Sequence, residues 1–162
     1  MKKLFIFLLA ATVAVLTVSS CGVAGMTAAD KAQIEQTVQD QLAAKDYTVL
    51  IQLMIPPVGA SRAVSNYSVK VSGDTLVSYL PYIGQAYNLP YGGGKGLDFT
   101  ATIGHYHDQV LQDGNHNIII NLSNGEDVFV YNLNISPSGS AFLSVSSRNR
   151  QTISYTGEMY VP

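Results

Sequence analysis

The order of apolar and polar positions divides the chain into three parts. An apolar run extends from Leu4 to Val18. Apolar side chains then recur every four positions at Ile34, Val38 and Leu42, which is the spacing of one face of a helix. From Tyr47 onward the period changes to two, as in strands that bury one face. The pattern therefore predicts a short apolar leader, one helix and a β-rich remainder.

The predicted helix has recognisable ends and a narrow apolar face. Thr27 is suited to cap the first turn, and Asp30 takes the position of the acid in a capping box. We expect the helix to end near Lys45. A single apolar stripe suits a helix that lies across a sheet or closes one end of a barrel.

Alternating apolar residues predict about eight short antiparallel strands joined by tight turns. Gly104 and Gly157 interrupt the alternation and are expected sites of a bulge or local irregularity. No second helix is predicted, so the fold class is mainly β: a meandering barrel or a sandwich with one N-terminal helix after the leader. A strand is predicted from Leu76 to Leu80, and the residues that alternate along one face of the other strands are Tyr47, Val49, Ile51, Leu53 and Ile55; Tyr67, Val69 and Val71; Leu97, Phe99, Ala101 and Ile103; Ile118, Ile120 and Leu122; Phe129, Tyr131, Leu133 and Ile135; Ala141, Leu143 and Val145; and Ile153, Tyr155 and Met159.

The dipeptide Asn124-Gly125 predicts the clearest hairpin. Asn-Gly adopts the positive φ angles of a two-residue type I′ turn, so the strands on either side should pair directly outward from it. This register pairs Leu122 with Asp127, Ile120 with Phe129 and Ile118 with Tyr131.

The N-terminal residues resemble a bacterial lipoprotein signal. A basic start at Lys2 and Lys3 precedes an apolar core of about 15 residues, which is short of the roughly 20 that a membrane-spanning helix needs. The following Val18-Ser19-Ser20-Cys21 resembles a lipobox, in which the cysteine receives a diacylglycerol and the chain is cut before it. An ordinary signal peptide is the alternative, but it would leave the chain's one cysteine as a free thiol. We expect a signal peptide at 1–20, a lipidated tether at 21–26 and one β-rich domain at 27–162.

Charge and the residues after Cys21 bear on partners and location. The chain has 9 basic and 11 acidic residues, and loss of Lys2 and Lys3 leaves 7 against 11, a net charge of −4. Such a domain is a poor candidate for nucleic-acid binding, and membrane lipid is its expected partner through acylated Cys21. Gly22 is not the aspartate that retains many lipoproteins in the inner membrane, and no acidic run follows the cysteine. These features predict an outer-membrane anchor with the domain on the periplasmic side.

A tyrosine-rich segment is the best candidate for a binding surface. Tyr79, Tyr82, Tyr87 and Tyr91 fall within 13 residues, and prolines there would stiffen the segment. The alternative is that these rings cover an open barrel end or sheet edge as ordinary core. Arg148 and Arg150 form a small cationic turn that could add to such a surface, although exposed arginines in a turn are common.

The three histidines are not expected to form a metal site. His105 and His107 share one strand face, and Asp108 points to the other. If the turn falls at Asp113-Gly114, His116 sits opposite Leu111, roughly 14 Å from His107. We therefore predict two exposed histidines, no metal site and no cofactor, and no nucleophile motif identifies a catalytic residue.

Four motifs resemble domain-of-unknown-function family 4251. They are Pro57-x-Gly59 followed by Ser61-Arg62; Ser78-Tyr79-Leu80-Pro81-Tyr82-x-Gly84-x-Ala86-Tyr87; Gly96-Leu97-x-Phe99; and Asn149-Arg150-x3-Ser154-Tyr155-x-Gly157. The resemblance covers nearly all of the chain from the helix to the carboxyl end. It implies a small exported protein or lipoprotein of gut-type Gram-negative bacteria and implies no activity.

Three functions remain open on these grounds. The first is a lipid-anchored, non-enzymatic binding or structural domain of the cell envelope, which contacts an envelope protein through the tyrosine-rich segment or a barrel mouth. The second is a periplasmic hydrolase whose acid and base residues, for instance Asp98, His107 and Asp108, converge only on folding. The third is a lipocalin-like carrier of a small apolar ligand. An internal cavity or a pocket of convergent ionisable groups would separate them.

Overall fold

A computed structural model describes residues 27–87 and 96–162. In these ranges the chain forms one helix and eight strands, and the helix is neither long nor apolar enough to cross a membrane. The elements are α1 (Ala28–Ala44), β1 (Asp46–Ile55), β2 (Arg62–Ser72), β3 (Thr75–Leu80), β4 (Leu97–Val110), β5 (His116–Ser123), β6 (Val128–Ile135), β7 (Ser140–Ser147) and β8 (Ile153–Met159). Cys21 and Tyr91 lie outside the described residues.

The strands form a closed antiparallel barrel. Each strand pairs with the next along the chain, and β8 pairs back with β1, so the barrel has no free edge. The predicted mainly β fold with one N-terminal helix is therefore confirmed, and of the two predicted architectures the chain adopts the barrel. Its interior is filled by inward side chains, the largest being those of Phe129, Tyr131 and Tyr155, which are essentially inaccessible to solvent.

Helix α1 closes one end of the barrel, as its narrow stripe suggested. Val38 and Leu42 are buried in the core, and Val38 packs close to Gly139 in the turn between β6 and β7. The capping box is present: Thr27 donates its backbone N–H to Asp30, and this bond lowers the pKa of that carboxyl. The helix ends at Lys45, in a left-handed conformation (φ 51°). We call this end of the barrel the helix end.

The hairpin between β5 and β6 differs in register from the prediction. The predicted pairing is wrong by two residues, because four residues (124–127) rather than two form the loop, and Leu122 pairs with Phe129. The side chain of Asn124 accepts hydrogen bonds from the backbone N–H groups of Glu126 and Asp127, which widens the turn. A shift of two keeps every side chain on its predicted face, so the buried set is unchanged.

The first strand also departs from simple alternation. Tyr47, Val49 and Ile51 face the core as predicted, but a bulge between Ile51 and Leu53 makes Met54 the next buried residue. The expected inward orientation of Leu53 and Ile55 is therefore wrong.

The two predicted glycine irregularities are confirmed. Gly157 lies opposite the bulge in β1, where a Cβ atom would overlap the carbonyl oxygen of Leu50. A second register shift lies at Gly104, between Ile103 and His105. It returns Tyr106 to the core side of β4, where the ring is partly buried. Both glycines thus mark places where the period of two is broken.

Candidate functional site

The segment from Pro81 to Tyr87 lies across the barrel end opposite α1. It leaves β3 and is held by the short connection between β7 and β8. The backbone N–H of Tyr87 donates to the carbonyl of Asn149 (2.7 Å), and that of Gln151 donates to the carbonyl of Gln85 (3.0 Å). We call residues 79–87 and 148–151 the tyrosine end.

Tyr82 is folded inward at the tyrosine end. Its hydroxyl lies within hydrogen-bond distance of the carbonyl oxygens of Gln85 (3.0 Å) and Gln151 (3.1 Å). Its ring lies against the Arg150 guanidinium, 5.6 Å from centroid to Cζ. Partial burial raises the pKa of Tyr82 above its usual value. Gly84 makes room for this position, because a Cβ atom there would lie 2.6 Å from the phenolic oxygen.

Arg150 is a buried residue, so the expectation that both arginines of this turn are exposed is wrong. Arg148 is exposed, but Arg150 is only 8% exposed and lies near Asp127, which is 7% exposed. The Nε atom is 3.9 Å from Oδ2 of Asp127, and neither atom has a hydrogen-bond partner. The other carboxylate oxygen, Oδ1, accepts bonds from the Val128 N–H (2.8 Å) and the Asn149 amide (3.2 Å). The pair thus neutralises charge without the usual bidentate geometry.

Buried tyrosines beneath the segment fix its base. Tyr131 donates to the Ser78 hydroxyl (2.8 Å), which in turn donates to the carbonyl of Leu97 (2.7 Å). Tyr155 donates to the carbonyl of Pro81 (2.6 Å) where the segment begins. Burial raises the pKa of both phenols far above the usual range.

The remaining described tyrosines of this end face solvent. Tyr87 is 63% exposed and Tyr79 is 46% exposed. The ring of Tyr79 packs against that of Tyr67, with centroids 5.0 Å apart, and Asp98 is its cross-strand neighbour. The four tyrosines singled out in the sequence therefore divide into Tyr82, which is folded inward, and Tyr79 and Tyr87, which are exposed; Tyr91 lies outside the described residues. Arg148 adds one exposed positive charge.

The histidines lie far from this end and on two faces of the sheet. His105 and His107 are exposed, as predicted. His116 pairs with Val110 rather than with Leu111, so its predicted register is wrong by one residue. Its Nδ1 lies 2.9 Å from the Asp108 carboxylate, a contact that the sequence reasoning missed because a one-residue change in register reverses the face. Within the described ranges, no group of three His, Cys, Asp or Glu side chains could hold a metal ion.

The residues proposed for a hydrolase do not converge. Asp98 and His107 are nine positions apart along β4, which is roughly 30 Å at the usual rise per residue. Asp108 is committed to His116. A second cluster does form at the helix end, where the hydroxyls of Tyr47 and Tyr106 are 3.3 Å apart and Lys45 lies over the Tyr106 ring. The spacing of residues along the sequence could not have predicted this cluster, since 59 residues separate the two tyrosines.

The barrel interior offers no room for a carried ligand between the described residues. The gap beside Tyr82, lined by Leu97, Phe129 and Ile153 among others, has no space for a water molecule. The larger depressions, at the barrel wall and beside α1, open to solvent. The filled interior favours contacts made from outside the barrel over a carrier of the lipocalin type.

Comparison with known proteins gives the chain its family. The family described as Domain of unknown function (DUF4251) matches residues 29–159. The chain belongs to this family. The resemblance drawn from the four sequence motifs is thereby confirmed, and the family's description assigns no activity. No curated protein matches the chain.

A solved structure from the same family has a similar fold. It is the crystal structure of a DUF4251 family protein from Bacteroides eggerthii, with a TM-score of 0.62 and 17% sequence identity. The similarity covers 81% of this chain and 89% of that chain. At this level of identity the likeness supports the fold alone.

Proposed function

We propose that the protein is a lipid-anchored, non-enzymatic domain of the cell envelope that binds a partner through its tyrosine end. The observation that carries this proposal is the filled barrel with two exposed aromatic rings, those of Tyr79 and Tyr87, close together in sequence at the end opposite the helix. Rigid aromatic side chains with a polar tip lose little entropy on binding and are enriched at protein interfaces. The two alternatives, a hydrolase with dispersed acid and base residues and a carrier of an internal ligand, have no comparable support.

The anchor and the binding end are placed at opposite ends of the barrel in this proposal. Cys21 precedes Thr27 by six residues, which reach at most about 20 Å when extended. A diacylglycerol on Cys21, with a further acyl chain on its amino group, is enough for stable membrane attachment. The helix end then faces the membrane and the tyrosine end faces away from it. We place the anchor in the outer membrane with the domain in the periplasm, because Gly22 follows the cysteine and no acidic run does.

The anchor is tested with Cys21→Ser. Cells supplied with a labelled fatty acid should incorporate the label into the wild-type protein, which should sediment with outer membranes. The variant should carry no label and should leave the membrane fraction. Unlabelled wild-type protein would contradict the proposed anchor without bearing on the binding surface.

The binding surface is tested by removing its aromatic rings. Tyr79→Ser with Tyr87→Ser should reduce recovery of a crosslinked envelope partner at least tenfold. Phe142→Ser is the matched control, since Phe142 is 45% exposed on the barrel wall. Equal loss in the control, or no loss in the double variant, would contradict the proposed surface.

A further inference from the structure

Three polar atoms near the tyrosine end have no hydrogen-bond partner although they are buried. They are Nε of Arg150, Oδ2 of Asp127 and Oγ of Ser147. Arg150 and Ser147 line the same narrow gap, together with Tyr82 and apolar side chains that include Phe129, and Oδ2 of Asp127 lies 3.9 Å from Nε of Arg150. Buried polar groups are nearly always paired, so unpaired atoms on neighbouring residues require an explanation.

The three atoms define the chemistry of the group that would satisfy them. Nε of Arg150 can only donate, Oδ2 of the Asp127 carboxylate can only accept, and the Ser147 hydroxyl can do either. Because Nε and Oδ2 are 3.9 Å apart, one small group can bond to both. A hydroxyl fits, since its oxygen accepts from Nε while its hydrogen is donated to Oδ2. A simple anion supplies no hydrogen for the carboxylate, and an ammonium group offers no acceptor to the guanidinium.

Tyr82 closes this gap and is the part that must move. The gap does not admit a water molecule while the ring is in place. Rotation of the ring breaks the contacts of one hydroxyl with the carbonyls of Gln85 and Gln151. The backbone bridge between Ala86 and Arg150 is independent of the ring and can persist. Opening also gives up the contact between the ring and the Arg150 guanidinium, but it leaves the backbone hydrogen bond from Tyr87 to Asn149 in place.

We propose that Tyr82 covers a subsite for a hydroxyl group of a carbohydrate. This rests on the proposed binding function of the tyrosine end and names its ligand class. A sugar ring carries several hydroxyls and a face of C–H bonds that matches the negative face of an aromatic ring. Tyr79 and Tyr87 are exposed at the same end, and Tyr82 itself becomes available when it rotates outward. Water shares the hydroxyl chemistry but makes no use of the exposed rings.

The first experiment follows saccharide binding by NMR with the folded domain. Maltose, cellobiose and chitobiose are titrated while the signals of the Arg150 Nε–H group and the Ser147 amide are recorded. At least one saccharide should shift both signals in a saturable manner. Ser147→Ala should weaken that binding about tenfold. The stability of the Ser147→Ala variant should be unchanged, because the Ser147 hydroxyl has no hydrogen-bond partner while Tyr82 is folded inward.

A second variant opens the subsite without touching its polar atoms. Gly84→Ala places a Cβ atom 2.6 Å from the Tyr82 phenolic oxygen and 2.8 Å from Cζ, so the ring must leave its closed position. We expect saccharide binding to become severalfold tighter. Ile83→Ala is the matched control, since Ile83 is a 40% exposed residue of the same segment, and it should bind like the wild type.

The outcomes separate the possible occupants. Saturable shifts that weaken in Ser147→Ala and strengthen in Gly84→Ala support the proposal. No shift with any of the three saccharides, in the wild type or in Gly84→Ala, overturns it. Contacts between bulk water and the Arg150 Nε–H group without a saccharide effect identify water as the occupant and also overturn it. Either failure leaves the partner test with Tyr79 and Tyr87 unaffected, so the ligand class and the binding surface are tested separately.

Discussion

Arg150 and Asp127 form a buried ion pair without a hydrogen bond, with Nε 3.9 Å from Oδ2 beneath the Tyr82 ring. The pair joins the loop between β5 and β6 to the connection between β7 and β8. Asn149 also donates to Asp127, and because the Tyr82 ring lies against Arg150, three separate parts of the chain meet at the tyrosine end. The two charges compensate each other, while Nε of Arg150 and Oδ2 of Asp127 keep the capacity to bond to another group.

Asp127→Asn should destabilise the fold by about 3 kcal/mol, because it leaves the Arg150 charge buried without a counter-ion. Urea unfolding followed by circular dichroism measures the change. Glu126→Gln is the matched control, since the neighbouring Glu126 is exposed and should change stability by less than about 0.5 kcal/mol. Equal stability of the two variants would show that the buried charge is compensated elsewhere.

The position of Asp127 also shows where sequence reasoning reached its limit. The alternation of Ile118, Ile120 and Leu122 gave the correct inward face, because the period of two is a local property of a strand. The length of the loop between β5 and β6 is not determined by the strand period. It depends on the hydrogen bond from the Asp127 N–H to the Asn124 side chain and on the contact of Asp127 with Arg150, which lies more than 20 residues away in sequence. The burial of Arg150 was missed for the same reason, whereas the contact of Asp108 with His116 was missed because the predicted register of His116 was wrong by one residue.

Gly157→Ala should destabilise the barrel by more than about 3 kcal/mol or prevent folding, because the new methyl group meets backbone atoms of Leu50 and Ile51 that cannot move away. Gly104→Ala is the comparison, since its Cβ would lie 3.3 Å from the carbonyl oxygen of Asn121. It should be the milder change. Thermal unfolding of both variants decides the order, and a stable Gly157→Ala protein would show that the β1–β8 seam is looser than described.

Ser78→Ala should cost about 1–3 kcal/mol, because the buried Tyr131 hydroxyl loses its acceptor. Tyr131→Phe should cost about 1 kcal/mol, since Ser78 still donates to the carbonyl of Leu97. The double variant should lose less than the sum of the two. Strict additivity in a double-mutant cycle would argue against coupling between these hydroxyls.

The domain should unfold in alkali from about pH 10 upward. Burial raises the pKa of Tyr47, Tyr131 and Tyr155 above the ordinary value of 10.0, so the unfolded chain loses these protons first. The contribution of these phenols to the free energy of unfolding is therefore fully present below pH 10, and it is lost as the pH rises toward their pKa values in the folded protein. Tyrosine absorbance should show a steep phase that coincides with loss of circular dichroism. One smooth titration of all tyrosines with the fold intact would contradict this.

The central claim is that the tyrosine end, and not the helix end, contacts the partner. A photoreactive amino acid placed in living cells at Tyr87 or at Val110 tests it most directly. These positions are 63% and 61% exposed and lie at opposite ends of the barrel, so they differ in location rather than accessibility. We predict a discrete crosslinked envelope component from position 87 and none from position 110. Crosslinking from position 110 alone, or equally from both, would contradict it.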